Sequence, residues 1–351
     1  MNSIDLRSDT VTRPDATMRR AMAEAEVGDD VFAEDPTVRR LEETTAELLG
    51  HEAGLFVPSG TMGNQIGLHL HARPGSEVIC DSRSHVVFYE MGALAALSGL
   101  LPRTIETAWG QLEPGAVESL IAPDVSYRAR TALVLVENSH NVCGGTVYTP
   151  EQLDAVVGVA RRRGLPVHLD GARLWNAAVA AGVPESRFSA GVDTVNVCLS
   201  KGLGAPVGSV LCGSAERMKE ARRVRKMFGG GMRQVGVLAA AGLVALGNRA
   251  RLATDHEHAR LLAETLAELP GTVVDLDHVV TNIVVFGITA EFFRGGLASE
   301  RDPIDEFLAR LADRGVRAVR ISPTRARFTT HGDVDRAGIE AAVAAIRALA
   351  A

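Results

Sequence analysis

Lysine is rare in this chain, and one lysine stands where an amine could react. Only three of the 37 basic residues are lysines, and Lys219 and Lys226 lie in a charged helical pattern typical of a solvated surface. Lys201 instead follows the apolar run 194–199 and precedes the glycine-rich segment 202–204. An amine desolvated there loses its proton easily and attacks carbonyl carbons, as a Schiff base requires. Pairing with a carboxylate at a domain edge is the alternative.

A carboxylate and a guanidinium, Asp170 and Arg173, follow a second apolar run, at 166–169. Asp170 could simply cap the helix predicted to begin at Leu174. Together with Lys201 it fits another use, because pyridoxal phosphate needs an amine for its aldehyde and an acid partner that keeps its ring nitrogen protonated. Ligands of an open α/β sheet bind at the carboxyl ends of the strands, so the two segments should meet there.

The segment 58–64 could bind the phosphate of such a cofactor. It leads into a predicted helix at 65–71, where free backbone N–H groups and the hydroxyls of Ser59 and Thr61 would surround an anion. An ordinary helix with a Ser or Thr cap is the alternative. The segment lacks the lysine of a P-loop, and the glycines at 202–204 precede a strand, so the nucleotide-binding fingerprints fail.

Two histidines and a further arginine complete the candidates. His85 follows a predicted strand and could lie flat on an aromatic ring or act as an acid or base, and His140 at another strand end carries the same ambiguity. For both, a histidine that is merely hydrogen-bonded is the alternative. Arg233, after three glycines, could reach an anion or lie in a plain flexible turn.

The elements that must position these groups predict an α/β fold. From about residue 50 to 215, short apolar runs alternate with helical patterns, which predicts a mostly parallel open sheet with helices on both faces. The strands are predicted at residues 54–58, 77–80, 86–88, 131–137, 166–170, 194–199 and 208–212. A different pattern follows and predicts a smaller C-terminal α+β domain, so we expect domains at 1–250 and 251–351.

Composition excludes several classes of function. A net charge of −6 and an aromatic content of 4% argue against nucleic acid as a partner. The longest nearly apolar stretch, residues 235–246, is too short to cross a membrane, and a charged N-terminal segment gives no indication of export, so we expect a cytoplasmic protein. The four cysteines form no Cys-x-x-Cys pair and read as buried thiols, so neither a disulfide frame nor a metal site is expected.

Seven motifs taken in order resemble the L-threonine aldolases, and the resemblance covers essentially the whole chain. The motifs are Leu6-Arg-Ser-Asp-Thr-Val-Thr, Gly28-Asp-Asp-Val-Phe, Ser59-Gly-Thr-Met-Gly-Asn, Glu137-Asn-Ser-His-Asn, Asp170-Gly-Ala-Arg, Leu199-Ser-Lys-Gly-Leu-Gly-Ala-Pro-Val-Gly and Gly229-Gly-Gly-Met-Arg-Gln. The resemblance implies a pyridoxal-phosphate enzyme of the aspartate-aminotransferase fold. It further implies a homotetramer whose sites lie between two subunits.

The resemblance also implies roles for residues that bind the cofactor. Lys201 would form the Schiff base, Asp170 would pair with the pyridine nitrogen, and His85 would stack on the ring. Gly60 and Thr61 would hold the phosphate, beside Ser59. Arg173 would lie against the cofactor, and Arg233 would reach the cofactor of a neighbouring subunit.

On the substrate side, Ser8, Arg173 and Arg327 would gather the carboxylate of an amino acid, and His140 would approach its β-hydroxyl. The implied reaction is retro-aldol cleavage of L-threonine, L-allo-threonine and related β-hydroxy-α-amino acids to glycine and an aldehyde. The sequence departs from the common pattern at Phe32, where many relatives have Tyr, and at residues 292–302, which look like an extended loop. Both departures concern the edge of the substrate pocket.

Three rival functions stay open from the sequence. A related β-eliminating lyase or a transaldolase would use the same lysine on a β-substituted amino acid. A non-catalytic binding module would keep the fold without binding the cofactor. A nucleotide-dependent α/β enzyme would bind a nucleotide instead, although no matching fingerprint is present.

Overall fold

The computed structural model describes residues 3–293 and 301–350. Its strands are β1 (Ile4–Asp5), β2 (Ala53–Val57), β3 (Glu77–Asp81), β4 (Leu101–Ile105), β5 (Thr131–Glu137), β6 (Val167–Gly171), β7 (Thr194–Cys198), β8 (Ser209–Gly213), β9 (Thr272–Val274), β10 (Ile283–Ile288), β11 (Val316–Arg317), β12 (Val319–Ser322) and β13 (Arg325–Thr329). Its helices are α1 (Ala16–Ala23), α2 (Pro36–Leu49), α3 (Gly60–His71), α4 (His85–Phe88), α5 (Ala93–Ser98), α6 (Pro114–Leu120), α7 (Pro150–Arg162), α8 (Leu174–Ala181), α9 (Ser186–Ser189), α10 (Ala215–Met227), α11 (Gly236–Gly247), α12 (Leu252–Ala267), α13 (Pro303–Asp313) and α14 (Arg336–Ala350).

Seven strands form the main sheet in the order β2-β8-β7-β6-β5-β3-β4. All neighbouring pairs are parallel except those that involve β8, which is antiparallel to both β2 and β7. Helices cover both faces, because alternate residues of β5 enter different apolar clusters: Val134 and Val136 pack in one, and Leu133 and Leu135 in another. The predicted mostly parallel open sheet is therefore confirmed.

A second, antiparallel sheet has the order β12-β13-β10-β9 and packs with α12, α13 and α14. Its apolar cluster contains Phe286, Phe307 and Phe328, and this arrangement confirms the predicted smaller α+β unit. The N-terminal strand β1 pairs in parallel with β11, and Leu6 is buried in the same cluster. The first residues are thereby held beside the C-terminal sheet, while the division at residue 250 stays a prediction.

The structure differs from the sequence prediction at two strand positions and at the start of α3, which begins at Gly60 and not at residue 65. Residues 86–88, predicted as a strand, belong to the short helix α4, because tertiary contacts override the strand propensity of Val and Phe in so short a run. Strand β4 was not predicted, since it is a half-exposed edge strand that contains Pro102 and lacks an apolar run. In the predicted loop at 292–302, residues 294–300 lie outside the described residues.

Two further expectations concern single residue types. All four cysteines are buried free thiols, as expected. Lys219 and Lys226 are exposed, whereas Lys201 is half-buried. No helix in the described part of the chain has the length and apolar character that a bilayer crossing requires.

Candidate active site

Three parallel strands end side by side at one edge of the main sheet, and the predicted residues follow them. Glu137 of β5 is in register with Asp170 of β6, which in turn pairs with Asn196 of β7. Lys201 follows three residues after β7 ends. The described residues contain no ion pair to the Lys201 amine, so the alternative of a lysine paired with a carboxylate does not hold.

The carboxylate of Asp170 is buried, with 1% of its surface exposed, and both of its oxygens are oriented by neutral N–H donors. Oδ1 accepts a hydrogen bond from the backbone N of Ala172 at 3.1 Å, and Oδ2 accepts one from Asn64 Nδ2 at 2.8 Å. Asp170 does not cap α8, because the residue at the cap position is Arg173. The helix-cap alternative is therefore wrong, and the carboxylate retains lone pairs for a ligand.

Asn64 of α3 connects Asp170 to the interior. Its Nδ2 donates to Asp170 and, at 2.9 Å, to Glu90, while its Oδ1 accepts from Asn196 Nδ2 at 3.0 Å and faces His168 Nε2 at 3.2 Å. Burial lowers the pKa of His168 to about 4, so this histidine is neutral and carries its proton on Nε2. Every donor and acceptor of the Asn64 amide is thereby used, which fixes its orientation.

His85 lies beside Asp170, with one ring nitrogen within 4.8 Å of a carboxylate oxygen of Asp170. Its backbone N donates to Glu137 Oε2 at 2.8 Å, and its Nδ1 lies 2.8 Å from Glu90 Oε1. Burial lowers the pKa of His85, but the hydrogen bond to Glu90 and the charges of Asp170 and Glu90 outweigh it, so the pKa is raised, while Lys201 acts in the lowering direction. Asp170 and Lys201 therefore both lie near enough to His85 to act on its charge.

His140 is buried between carboxylates. Its Nε2 lies 3.3 Å from Asp81 Oδ1 and 4.0 Å from Glu137 Oε2, and neither ring nitrogen has an aligned hydrogen bond. Burial lowers the pKa of His140, yet Glu137 and Asp81 outweigh this effect and raise the pKa well above its usual value. The two carboxylates therefore favour the protonated, cationic form of His140, which suits a hydrogen-bond donor.

Two arginines and one amide form a positively charged corner. Arg173 donates from Nε and Nη2 to the buried carboxylate of Asp9 at 2.8 and 2.7 Å. Asn141 Oδ1 accepts from Nη1 of both Arg173 and Arg327, at 3.0 Å each. Burial and the neighbouring Arg173 lower the pKa of Arg327. The corner thus contains two guanidinium groups and one carboxylate, that of Asp9, which leaves a net positive charge for an anion.

Ser8 lies next to this corner. It precedes Asp9, and its hydroxyl accepts hydrogen bonds from the N and Oγ1 of Thr10 at 3.2 and 2.8 Å. Arg327 Nη2 donates to the carbonyl of Arg7 at 3.3 Å. The pairing of β1 with β11 therefore brings the N-terminal segment to the corner.

The first turn of α3 lies directly against β7. The hydroxyl of Ser59 accepts from Met62 N at 3.1 Å, while Asn196 Nδ2 donates to the carbonyl of Gly60 at 3.0 Å. A Cβ added to Gly60 would meet Cys198 Sγ at 2.8 Å, so only glycine permits this approach. The N–H groups of Gly60 and Thr61 stand in the first turn, where intrahelical acceptors are missing, and this favours an anion.

Arg233 and Phe32 lie apart from these groups. The Arg233 side chain is 59% exposed, and its Nη1 stands 3.9 Å from Asp29. Phe32 is also on the surface, 72% exposed. The part predicted for Arg233, at the cofactor of a neighbouring subunit, stays a prediction.

Sequence reasoning missed four residues that hold the site together, namely Asp9, Asn64, Glu90 and Asn141. Asp9, Asn64 and Asn141 lie inside the quoted motifs, so their position beside assigned residues was an available signal. Glu90 lies in none of the motifs. The predicted absence of a metal site stays a prediction.

Comparisons with known proteins agree with this geometry. A family model described as beta-eliminating lyase matches residues 5–289. A probable low-specificity L-threonine aldolase of Arabidopsis thaliana is 44% identical over 345 residues, covering 97% of this chain and 95% of that protein. The low specificity L-threonine aldolase of Escherichia coli (strain K12) is 46% identical over 276 residues, covering 78% and 82%.

Among solved structures, a threonine aldolase of Leishmania major has the same fold, with a TM-score of 0.84 at 20% identity, over 99% of this chain and 100% of that one. A putative L-allo-threonine aldolase of Listeria monocytogenes has a TM-score of 0.79 at 22% identity, over 98% and 96%. The chain belongs to the beta-eliminating lyase family and, within it, to the low-specificity L-threonine aldolases.

Proposed function

We propose that this protein is a pyridoxal-phosphate-dependent lyase that cleaves L-threonine, L-allo-threonine and related β-hydroxy-α-amino acids to glycine and an aldehyde. The observation that carries the proposal is the oriented carboxylate of Asp170 beside His85, at the sheet edge where the neighbouring parallel strand β7 leads to Lys201. Membership of the family supports the reaction type.

The chain's own side chains fit the cofactor. Lys201 supplies the amine for its aldehyde, and Asp170, oriented by two neutral donors, supplies the acid partner of the ring nitrogen. The first turn of α3 offers N–H groups at Gly60 and Thr61, beside Ser59, for the phosphate. When bound, pyridoxal phosphate accepts the electrons released as the Cα–Cβ bond breaks.

The positively charged corner would bind the substrate carboxylate. Arg327 and Arg173 present guanidinium groups that now share the oxygen of Asn141, and Ser8 lies beside them. A carboxylate oxygen is a stronger acceptor than an amide oxygen, so it would displace Asn141 from at least one arginine. Fixing the carboxylate sets the orientation of the bond to be broken, which is itself a catalytic contribution.

His140 would act on the β-oxygen of the substrate. Glu137 and Asp81 raise the pKa of His140 and so favour its protonated form, whose two N–H groups can donate to that oxygen. A cation beside the β-oxygen stabilises the negative charge that develops when the hydroxyl loses its proton. His140 is thus an electrostatic partner in this proposal.

We further propose a homotetramer whose sites are shared between two subunits. The exposed Arg233 supports this, as do large apolar side chains on the surface, among them Phe32 and Met91. The elution volume in size-exclusion chromatography tests the assembly. The cytoplasmic location remains part of the proposal, and cell fractionation tests it.

The variant Lys201→Ala tests the function. Wild-type protein should show visible absorbance with bound cofactor and should release glycine and acetaldehyde from threonine, and the variant should lose both. Lys219→Ala, which changes an exposed lysine, is the matched control and should keep both. Ammonia and a keto acid as products would instead indicate β-elimination, and full activity of Lys201→Ala would end the assignment.

A further inference from the structure

Glu90 is a buried carboxylate to which the proposed reaction assigns no part. It lies between α4 and α5 and is 3% exposed. Three nitrogen donors converge on it: His85 Nδ1 at 2.8 Å, Asn64 Nδ2 at 2.9 Å and Gln65 Nε2 at 2.6 Å. A carboxylate buried this deeply requires such donors, so the three neighbours and Glu90 form one structural unit.

Through Asn64 the unit extends to Asp170. The same Nδ2 nitrogen donates one hydrogen to Glu90 and the other to Asp170 Oδ2, at 2.9 and 2.8 Å. The amide cannot rotate, because its Oδ1 is fixed by Asn196 and His168. A displacement of Glu90 would therefore reach Asp170 through a single amide group.

The contact with Glu90 also fixes which nitrogen of His85 carries a proton. Because the carboxylate accepts, His85 Nδ1 must donate, so Nε2 is the nitrogen that gains or loses the second proton. The other charged groups that act on this imidazole are Asp170 and Lys201, while Glu137 binds the backbone N of His85. Glu90 is the one that bonds directly to the ring.

We infer that Glu90 is a positioning residue of the proposed reaction, which holds His85 with its proton on Nδ1 and, through Asn64, orients Asp170. The inference rests on the proposed function for its catalytic meaning. The hydrogen bonds of Glu90 are formed by the chain without cofactor. Residues that support the groups in contact with a ligand are expected to alter pH dependence and precision of placement more than binding.

Nitrogen-15 NMR of the histidine side chains, recorded on the cofactor-free chain from pH 5.5 to 9, tests the inference. His85→Gln identifies the His85 signals. Wild-type His85 should show the proton on Nδ1 above its pKa, and Glu90→Gln should lower that pKa by about one unit. Glu306→Gln, which changes a buried carboxylate bound to Arg310, is the matched control and should leave His85 unchanged.

A second readout uses the holoenzyme. The limb of the kcat/KM profile that His85→Gln abolishes is the one that reports His85. In Glu90→Gln this limb should move to lower pH by the same amount, while Glu90→Asp, which keeps the charge, should restore its position. A purely structural role would lower the melting temperature and scale the whole profile without moving it. That outcome would overturn the inference.

The tautomer of His85 in the wild-type protein tests the inference even if Glu90→Gln fails to fold. A proton found on Nε2 of neutral His85, or an unchanged His85 titration in folded Glu90→Gln, would contradict the inference. The NMR signals do not depend on turnover. A protein that lacks aldolase activity but shows the Nδ1 proton on His85 and the lower pKa in Glu90→Gln would therefore refute the proposed function and leave the positioning role intact.

Discussion

Two buried aspartates near the carboxyl end of the main sheet, Asp9 and Asp170, differ in what surrounds them. Asp9 accepts two hydrogen bonds from Arg173 and one from Asn282, so a cation in contact balances its charge. Asp170 accepts from the Ala172 N–H and the Asn64 amide, and the described residues 3–293 and 301–350 place no arginine or lysine in ion-pair contact with it. The charge of Asp9 is therefore balanced within the protein, whereas the carboxylate of Asp170 remains available to a cationic ligand.

Two kinds of buried carboxylate can thus be told apart by the charge of their hydrogen-bond donors. A buried carboxylate that is paired with a protein cation holds that cation in place, as Asp9 holds Arg173. A buried carboxylate that is oriented only by neutral donors keeps both its charge and free lone pairs, which suits a protonated ring nitrogen. Substitution of Asp170 should therefore chiefly reduce catalysis, whereas substitution of Asp9 should chiefly reduce stability.

The largest effect on catalysis is expected at Asp170. Asp170→Asn keeps the shape and should still bind pyridoxal phosphate, but it removes the charge that keeps the ring nitrogen protonated. We expect glycine release to fall about 1,000-fold, within the range for loss of an acid–base group. Parallel measurement of cofactor affinity by absorbance titration separates turnover from binding. An unchanged rate would show that no acid partner is needed.

The largest effect on stability is expected at Asp9. Asp9→Asn leaves the buried Arg173 without its counter-charge and should lower the free energy of unfolding by about 3 kcal/mol. Urea unfolding measures the change, and Asp154→Asn, which alters an exposed ion pair with Arg187, should cost less than about 1 kcal/mol. Equal losses of unfolding free energy in Asp9→Asn and Asp154→Asn would contradict the expected difference between a buried and an exposed ion pair.

The stability cost of Asp9→Asn should also depend on pH. Burial raises the pKa of Asp9, but Arg173 and Lys201 outweigh it and lower the pKa below the usual value. The ionised carboxylate therefore stabilises the fold above about pH 4, and this stabilisation is lost as the pH falls further. The difference in unfolding free energy between wild type and Asp9→Asn should be constant above about pH 5 and should shrink below about pH 4. A difference that grows as the pH falls would contradict this prediction.

A smaller effect is expected at Arg327, which donates to the same Asn141 oxygen as Arg173. Arg327→Leu removes one charged donor from the proposed carboxylate site and should raise KM for threonine about 10- to 100-fold, the equivalent of one hydrogen bond to a charged group. Arg347→Leu, which alters an exposed pair with Glu268, is the control and should leave KM unchanged. An unchanged KM in Arg327→Leu would indicate that the substrate carboxylate binds elsewhere.

Much of the fold was predictable, for a physical reason. Strands β5, β6 and β7 are buried on both faces and read as continuous apolar runs, so their positions were predicted to within one residue. Strand β4 lies at an exposed edge and has no such run. Helix α4 has four residues, too few for any periodicity to reveal it.

The candidate site was predictable only in part. Lys201 and Asp170 could be paired in advance, because parallel strands bring their carboxyl ends to one edge. The role of Glu90 could not be predicted, since Asn64 and Gln65 are 26 and 25 residues away in sequence and meet it only in the folded chain. Contacts between side chains of different elements follow from packing, which no local pattern encodes.

The site at which pyridoxal phosphate is covalently attached tests the assignment of Lys201 directly. Borohydride reduction of the holoenzyme, followed by peptide mass spectrometry, fixes the cofactor to the lysine that holds it, and the chain offers only Lys201, Lys219 and Lys226. We predict stoichiometric label on Lys201 and none on the two exposed lysines. Label on Lys219 or Lys226 with Lys201 unmodified would contradict the account.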